Sequence, residues 1–534
     1  MSSNQLTVRD VVIQVLRDLG VHRVYGNPGS TELAFLGNWP EDFEYVLGLH
    51  EASAVGMADG EARVTGRPTF VNLHTAAGLG NSLGNLFTSY KNQAPVVILA
   101  GQQSRSLLSS DAYLAADDPT VFPKPYVKWA IQPANAQDVP AALVRCFEVA
   151  MQPPYGPTFI SVPNDDWDQP CDPYPVGKSI GFGPAREDGL KEIAKALAGA
   201  KRPALVVGTE IDAFDAYDNA VRLAERTGAT VYTAPVAAAT AFPEDHPQFG
   251  GFLPAIPAGL SKMLERHDVV FVAGAPVFTF HVDGKADVLT SKDTRILQLT
   301  ADSNSAARAR TELSLVGELK ESLDRLISFL PEKPAADVAE PLKVARSTPE
   351  KEDGMPSAAY VLSRLSELMP KDAVLVEEAP SHRPAMQKNL PITQQGGFYT
   401  MSSGGLGYGL PASVGVALAH DKRKVVALIG DGSMQYSIQA LWTAAQHKLP
   451  LTVIVLNNGG YGALKSFSKF LGATNTPGMD LPSIDMVKIA EGYGLNASRV
   501  DNTADLDAAL TKALNDPHTH LIDVVVDPNK GDIY

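Results

Sequence analysis

Val425–Ser437 reads VVALIGDGSMQYS: a β-branched apolar run that stops at a carboxylate held between two glycines and then turns polar. A short continuous apolar run bounded by glycine is the pattern of a strand buried on both faces. Such strands belong to parallel α/β layers, whose ligands sit beyond the carboxyl ends of the strands. The stretch therefore predicts a fold class and a place to look for chemistry. Asp431 lies at the strand's carboxyl end, and the glycines around it, Gly430 and Gly432, let the backbone turn and approach a ligand closely. Ser433 and Met434 are expected to open a helix whose free N–H groups suit a phosphate.

Runs of the same kind recur along the chain. Residues 1–175 carry RVYGNPG, YVLGL, TFVNLH, APVVILAG and PTFISVP between helical patterns, and residues 183–330 carry RPALVVG, ATVYTAP, VVFVAGAPV and RILQLTAD. Residues 331–354 are rich in Pro, Ala, Glu and Lys without a core pattern and read as a linker. Residues 355–534 add AVLVEE, RKVVALIGDG, LPLTVIVLNN and HLIDVVVD. Strands alternating with helices pair in parallel through right-handed crossovers, so the expected fold class is α/β, with three doubly wound parallel-sheet domains.

Length and composition agree with that division. At roughly 150 residues per domain, 534 residues make three or four units. A formal net charge of −15 argues against a nucleic-acid partner and favours a small-molecule role. Cys146 and Cys171 lie in no metal-like spacing and read as reduced thiols. The N-terminal stretch MSSNQLTVRDVVIQVLRDLGV is charged and amphipathic, unlike a signal peptide or a membrane span, so a cytoplasmic location is expected.

A second strand end sharpens the first. LPLTVIVLNN delivers Asn458 at its carboxyl end, followed by GGYGAL. A carboxylate and an amide oxygen side by side, next to a phosphate cradle, are the hard oxygen ligands that Mg²⁺ uses. The pair resembles the thiamine-diphosphate fingerprint, which implies that Asp431, Asn458 and the backbone carbonyl of Gly460 hold Mg²⁺ against the diphosphate. That resemblance also implies a glutamate that activates the aminopyrimidine ring, and YVLGLHEASAVGMADG supplies Glu51 at a helix start.

The resemblance extends over nearly the whole chain to the thiamine-diphosphate-dependent 2-oxo acid decarboxylases and carboligases, on the side of the benzoylformate decarboxylases. It is carried by VYGNPGSTELAFL, FVNLHTAAGLGN, AGQQSR, VKWAIQPA, GAPVFTFH, SSGGLGYGLPA, GDGSMQYSIQALWTAAQ and NNGGYGAL. It implies pyrimidine-binding, central and diphosphate-binding domains, with each site shared between two copies of the chain. The protein is thus expected to be a homo-oligomer, at least a dimer, with tetramers common. By motif position, Ser30 would hold the substrate carboxylate, and His74 and His281 would move protons, work suited to histidine near neutral pH. Leu406 would wedge between the cofactor's rings, with the Gly404 carbonyl beside it. Asn27, Ser381, Gly432, Ser433, Met434 and Tyr461 would complete cofactor binding. His22, His246 and His447 read as solvated or satisfied histidines.

The substrate pocket is expected from Tyr113, Leu114, Ala463 and Arg383. Here the chain departs from the family, reading VEEAPSHRPAMQ and bringing Glu378, Pro380, His382 and Arg383 together. Arg383 either recruits a second acidic group on the substrate or pairs with Glu377 or Glu378, and pairing is favoured where carboxylates adjoin. The implied reaction is non-oxidative decarboxylation of an aromatic 2-oxo acid to an aldehyde, with carboligation as a side activity. A carboligase or lyase of the same superfamily, or a decarboxylase of another 2-oxo acid, is the alternative. A flavin-binding synthase is disfavoured because no Gly-rich dinucleotide loop follows RPALVVG or VVFVAG.

Overall fold

The computed structural model describes residues 5–177, 181–283, 293–346, 349–420 and 423–529. Among them are three six-stranded sheets in which every strand pairing is parallel. Across the N-terminal sheet lie Glu44–Leu47, Arg23–Gly26, Thr69–Leu73, Val96–Gln102, Thr158–Pro163 and Trp129–Ile131. Across the C-terminal sheet lie Phe398–Tyr399, Val374–Glu378, Val425–Gly430, Leu451–Asn457, His520–Val525 and Asn496–Val500. Each sheet's strands, counted along the chain, fall in the order 2-1-3-4-6-5, so the two outer domains share one topology. Their order reverses between first and third strands, which places the ligand crevices after Gly26 and Leu73 in one domain and after Glu378 and Gly430 in the other.

The outer domains meet where two helices, Glu51–Thr65 and Gly409–Ala419, cross. Small residues permit the approach: a Cβ at Gly60 would lie 2.3 Å from the Ala412 carbonyl oxygen, and one at Gly415 would lie 1.9 Å from that of Met57. Polar groups then fix the angle. Tyr408 Oη donates to buried Asp59 at 2.7 Å, and Arg63 Nη1 donates to Tyr408 Oη at 2.9 Å and to the Thr400 carbonyl at 2.8 Å. Arg63 Nη2 reaches the Ala238 carbonyl, so one guanidinium ties all three domains together. A buried cation is tolerated when it is paired and hydrogen-bonded in this way.

The central sheet runs Leu313–Val316, Arg295–Thr300, Val269–Ala273, Pro203–Val207, Thr230–Thr233 and Phe249–Phe252, the doubly wound order 6-5-4-1-2-3. Its crevice is filled from within. Glu210, buried after Pro203–Val207, accepts from Thr300 Oγ1 at 2.9 Å and from the Ala301 N–H at 2.8 Å. The loops above it touch, since a Cβ at Gly208 would lie 2.5 Å from Ala275 Cβ. Residues expected as a free linker are pinned to this domain: Ala339 N–H donates to Lys201 O, Leu342 N–H to Thr230 Oγ1 and Val344 N–H to Phe249 O.

Burial pushes the Glu210 carboxyl up to about 7, against the usual 4.5. The folded protein therefore binds that proton more tightly than the unfolded chain. The stability it contributes is complete below about 4.5 and is lost as pH rises through about 7. Glu210→Gln, which does not titrate, should gain on the wild type by on the order of 2 kcal/mol between pH 5 and pH 8. Denaturant unfolding of both proteins at the two pH values measures the change in that difference.

Candidate active site

A cavity of about 880 Å³ opens between the central domain and the carboxyl ends of the C-terminal strands. Register explains its composition. Glu378 pairs with Ile429, and Gly430 pairs with Leu456, so the residues just beyond those strands share one rim. Asp431 begins a short helix, Asp431–Met434, with Gly430 as its N-cap; the helix starts two residues earlier than the sequence suggests and ends within one turn. Asp431 is buried, and its Oδ2 has no hydrogen-bond partner among the described residues. Burial raises its carboxyl to about 6.

Beside it, Asn458 Oδ1 accepts from the Gly460 N–H at 3.2 Å, and its Nδ2 lies 3.4 Å from His382 Nε2. His382 is itself buried, which lowers its pKa to about 4 and keeps the ring a neutral acceptor. Tyr461 packs on Gly432, where a Cβ would lie 2.6 Å from its ring. Ser381 Oγ accepts from the Ala463 N–H at 2.9 Å. A buried carboxylate with one unpartnered oxygen, next to an amide oxygen and a backbone carbonyl, is a donor set that fits a hard divalent cation, and the rim beside it is lined by glycines.

The cavity gathers Ser381, Gly404, Leu406, Gly432, Ser433, Gly460, Tyr461 and Ala463 with Asp431 and Asn458, while Met434 is buried behind it. His281 joins them from the central domain, its ring edge-on to Phe467 at 4.9 Å between centroids. Arg383 also lines it, but its Nη2 donates to Glu377 and, at 2.6 Å, to Thr400 Oγ1, which is the ion pair expected from adjoining carboxylates.

Glu51, Ser30, His74 and Asn27 form a separate cluster at the N-terminal crevice. Glu51 opens its helix, where a carboxylate suits the dipole, and accepts from Asn81 Nδ2 at 3.1 Å. His74 follows the strand Thr69–Leu73 as N-cap of the next helix and stands near Glu51, since a Cβ at Gly78 would lie 3.3 Å from Glu51 Oε1 and 3.5 Å from His74 Cβ. Asn27 Nδ2 donates to the Gly48 carbonyl at 2.9 Å, and Ser30 is exposed at the start of the turn Ser30–Glu32. Tyr113, 84 % exposed, and Leu114 sit on a surface loop away from the cavity. One chain therefore presents two separate clusters of candidate residues.

One carboxylate, Glu32, escapes the sequence reading, and another, Glu378, is expected there only as an alternative partner for Arg383. Glu32 is buried beside His74, its Oε2 3.0 Å from Nδ1. Glu378 is buried under the loop that carries Leu406, accepting from the N–H groups of Gly407 and Tyr408, each at 2.7 Å, and of Gly409. The signal for Glu378 is its strand-end position; Glu32 has none beyond its place in the GSTE turn.

Residues 6–122, 190–326 and 380–524 match, in that order, the N-terminal TPP binding, central and C-terminal TPP binding domains of thiamine pyrophosphate enzymes. The chain belongs to the thiamine pyrophosphate enzymes. It is similar to a benzoylformate decarboxylase of Pseudomonas aeruginosa, 41 % identical over 528 residues, which cover 97 % of this chain and 98 % of that one. Among solved structures it resembles benzoylformate decarboxylase from Polynucleobacter necessarius, with TM-score 0.94 and 39 % identity over 98 % of this chain and 99 % of the other. The thiamine diphosphate-dependent 4-hydroxybenzoylformate decarboxylase of Rhodococcus jostii RHA1 matches with the same TM-score, identity and coverage.

Proposed function

We propose that the protein is an aromatic 2-oxo acid decarboxylase that releases carbon dioxide and an aldehyde from a benzoylformate-like substrate. The likeness to benzoylformate decarboxylase across nearly the whole chain carries this reading. When bound, thiamine diphosphate supplies a nucleophilic thiazolium carbon and a sink for the electrons that carbon dioxide leaves behind. Asp431, Asn458 Oδ1 and the Gly460 carbonyl would hold Mg²⁺, and Ser381, Ser433 and Tyr461 would receive the diphosphate. Leu406 and Gly404 would face the cofactor's rings, and Glu51 would hold a proton for the aminopyrimidine. Ser30 orients the substrate carboxylate, while His74 and His281 deliver and remove protons around the reacting carbon.

The two half-sites complete each other between copies of the chain, so the protein acts as a homo-oligomer, at least a dimer. Exposed apolar side chains beside both halves support this: Phe122, packed near Gly80 on the helix that follows His74, and Leu464, Phe470 and Leu471 beside the cavity. Apolar surface of that kind marks interaction sites. A cytoplasmic location belongs to the same proposal; among the described residues no helix is long and apolar enough to cross a membrane.

Incubation with thiamine diphosphate, Mg²⁺ and benzoylformate should yield carbon dioxide and benzaldehyde in equal amounts. Bound cofactor without turnover of any 2-oxo acid would overturn the reading. Asp431→Ala should weaken cofactor binding in Mg²⁺ by about 10²-fold, the scale of about 3 kcal/mol for losing one partner of a buried charge pair. Calorimetric titration of the variant with thiamine diphosphate checks this, and unchanged affinity would remove Asp431 from the metal site.

A further inference from the structure

We propose that Glu32 is a positioning residue for His74, holding it as the tautomer protonated on Nδ1 and leaving Nε2 as the nitrogen that exchanges protons. Four donors converge on the two oxygens of this fully buried carboxylate. Oε2 accepts from the Gly29 N–H at 2.8 Å and lies 3.0 Å from His74 Nδ1. Oε1 accepts from Thr31 Oγ1 at 2.6 Å and from the Gly101 N–H at 3.0 Å. A nitrogen lone pair facing a carboxylate at that distance would be repelled, so Nδ1 carries the hydrogen.

Thr31 agrees with that assignment. Its Oγ1 is 3.1 Å from His74 Nδ1 and has already given its own hydrogen to Glu32, so it can only accept there. Nε2 makes no hydrogen bond to a described residue. The backbone is shaped around the pair: a Cβ at Gly29 would lie 2.2 Å from the His74 ring, and one at Gly101 would lie 2.0 Å from Glu32 Oε1. A carboxylate that fixes one ring nitrogen of a histidine sets both its tautomer and its orientation.

The inference rests on the reading of His74 as a proton carrier, and a double-mutant cycle separates the two. Glu32→Gln should lower kcat for benzoylformate by about 10- to 100-fold, as loss of an orienting partner does, with cofactor affinity and thiazolium proton exchange unchanged. In a His74→Ala background the same substitution should change kcat less than about twofold. An equal loss in both backgrounds, or none in the wild type, overturns the role of Glu32. Wild-type turnover by His74→Ala instead overturns the reading of His74 itself, and the inference with it. If Glu32→Gln does not accumulate as folded protein, Thr31→Val runs the same cycle. Its expected loss is about fivefold, near 1 kcal/mol for one buried hydrogen bond, and should likewise vanish without His74; persistence there overturns the proposal.

Discussion

Replacing Glu51 by glutamine should leave thiamine diphosphate binding measurable while slowing exchange of the thiazolium proton by about 10³-fold, within the range of a single acid–base group. The side chain keeps its size, its place at the helix start and its contact with Asn81. It loses only the ability to hold and share a proton with the aminopyrimidine. Proton exchange followed by acid-quench NMR reads that function apart from substrate binding. Exchange at the wild-type rate would remove Glu51 from cofactor activation and leave it as a charge that complements a helix dipole.

The largest effect on stability is expected at Gly415. Its Cβ would lie 1.9 Å from the Met57 carbonyl, a backbone atom that no rotamer change can move. Gly415→Ala should force the helices Glu51–Thr65 and Gly409–Ala419 apart and destabilise the protein by about 3 kcal/mol or more, at the upper end of overpacking. Gly492→Ala is the matched control, because a Cβ there meets nothing within 4 Å; its effect should stay within about 1 kcal/mol. Equal transition midpoints for the two variants would mean that the crossing is looser than the contacts indicate. Because the Glu51 helix is one partner in that crossing, the same close packing sets where Glu51 stands.

The sheet interiors are legible in the sequence, and five of the six sheet edges are not. Of the eighteen strands among the described residues, thirteen coincide with apolar runs visible in the chain. The other five, Trp129–Ile131, Phe249–Phe252, Leu313–Val316, Phe398–Tyr399 and Asn496–Val500, all lie at sheet edges. An interior strand is apolar on both faces and announces itself, whereas an edge strand is short and half wet. Phe249–Phe252 carries two central glycines, and Phe398–Tyr399 is only two residues long.

The candidate site divides in a similar way. Asp431 and Asn458 could be found because a polar residue at the end of an apolar run stands out, and the register brings both to one rim. Glu32 could not, since its meaning comes from Gly101 and His74, which reach it only through the fold. Tyr113 and Leu114 show the opposite case: placed near the substrate by motif position, they stand on a surface loop away from the cavity of their own chain.

In the proposed reaction this site removes carbon dioxide from an aromatic 2-oxo acid and returns a proton in its place. The direct measurement is a side-by-side product analysis of the protein with thiamine diphosphate and Mg²⁺, given benzoylformate, 4-hydroxybenzoylformate, phenylpyruvate, pyruvate or a branched 2-oxo acid. Turnover should be fastest with a benzoylformate, with the aromatic aldehyde as the main product. Preferred use of pyruvate with formation of acetolactate, or carbon–carbon ligation outrunning aldehyde release from every aromatic substrate, would contradict it.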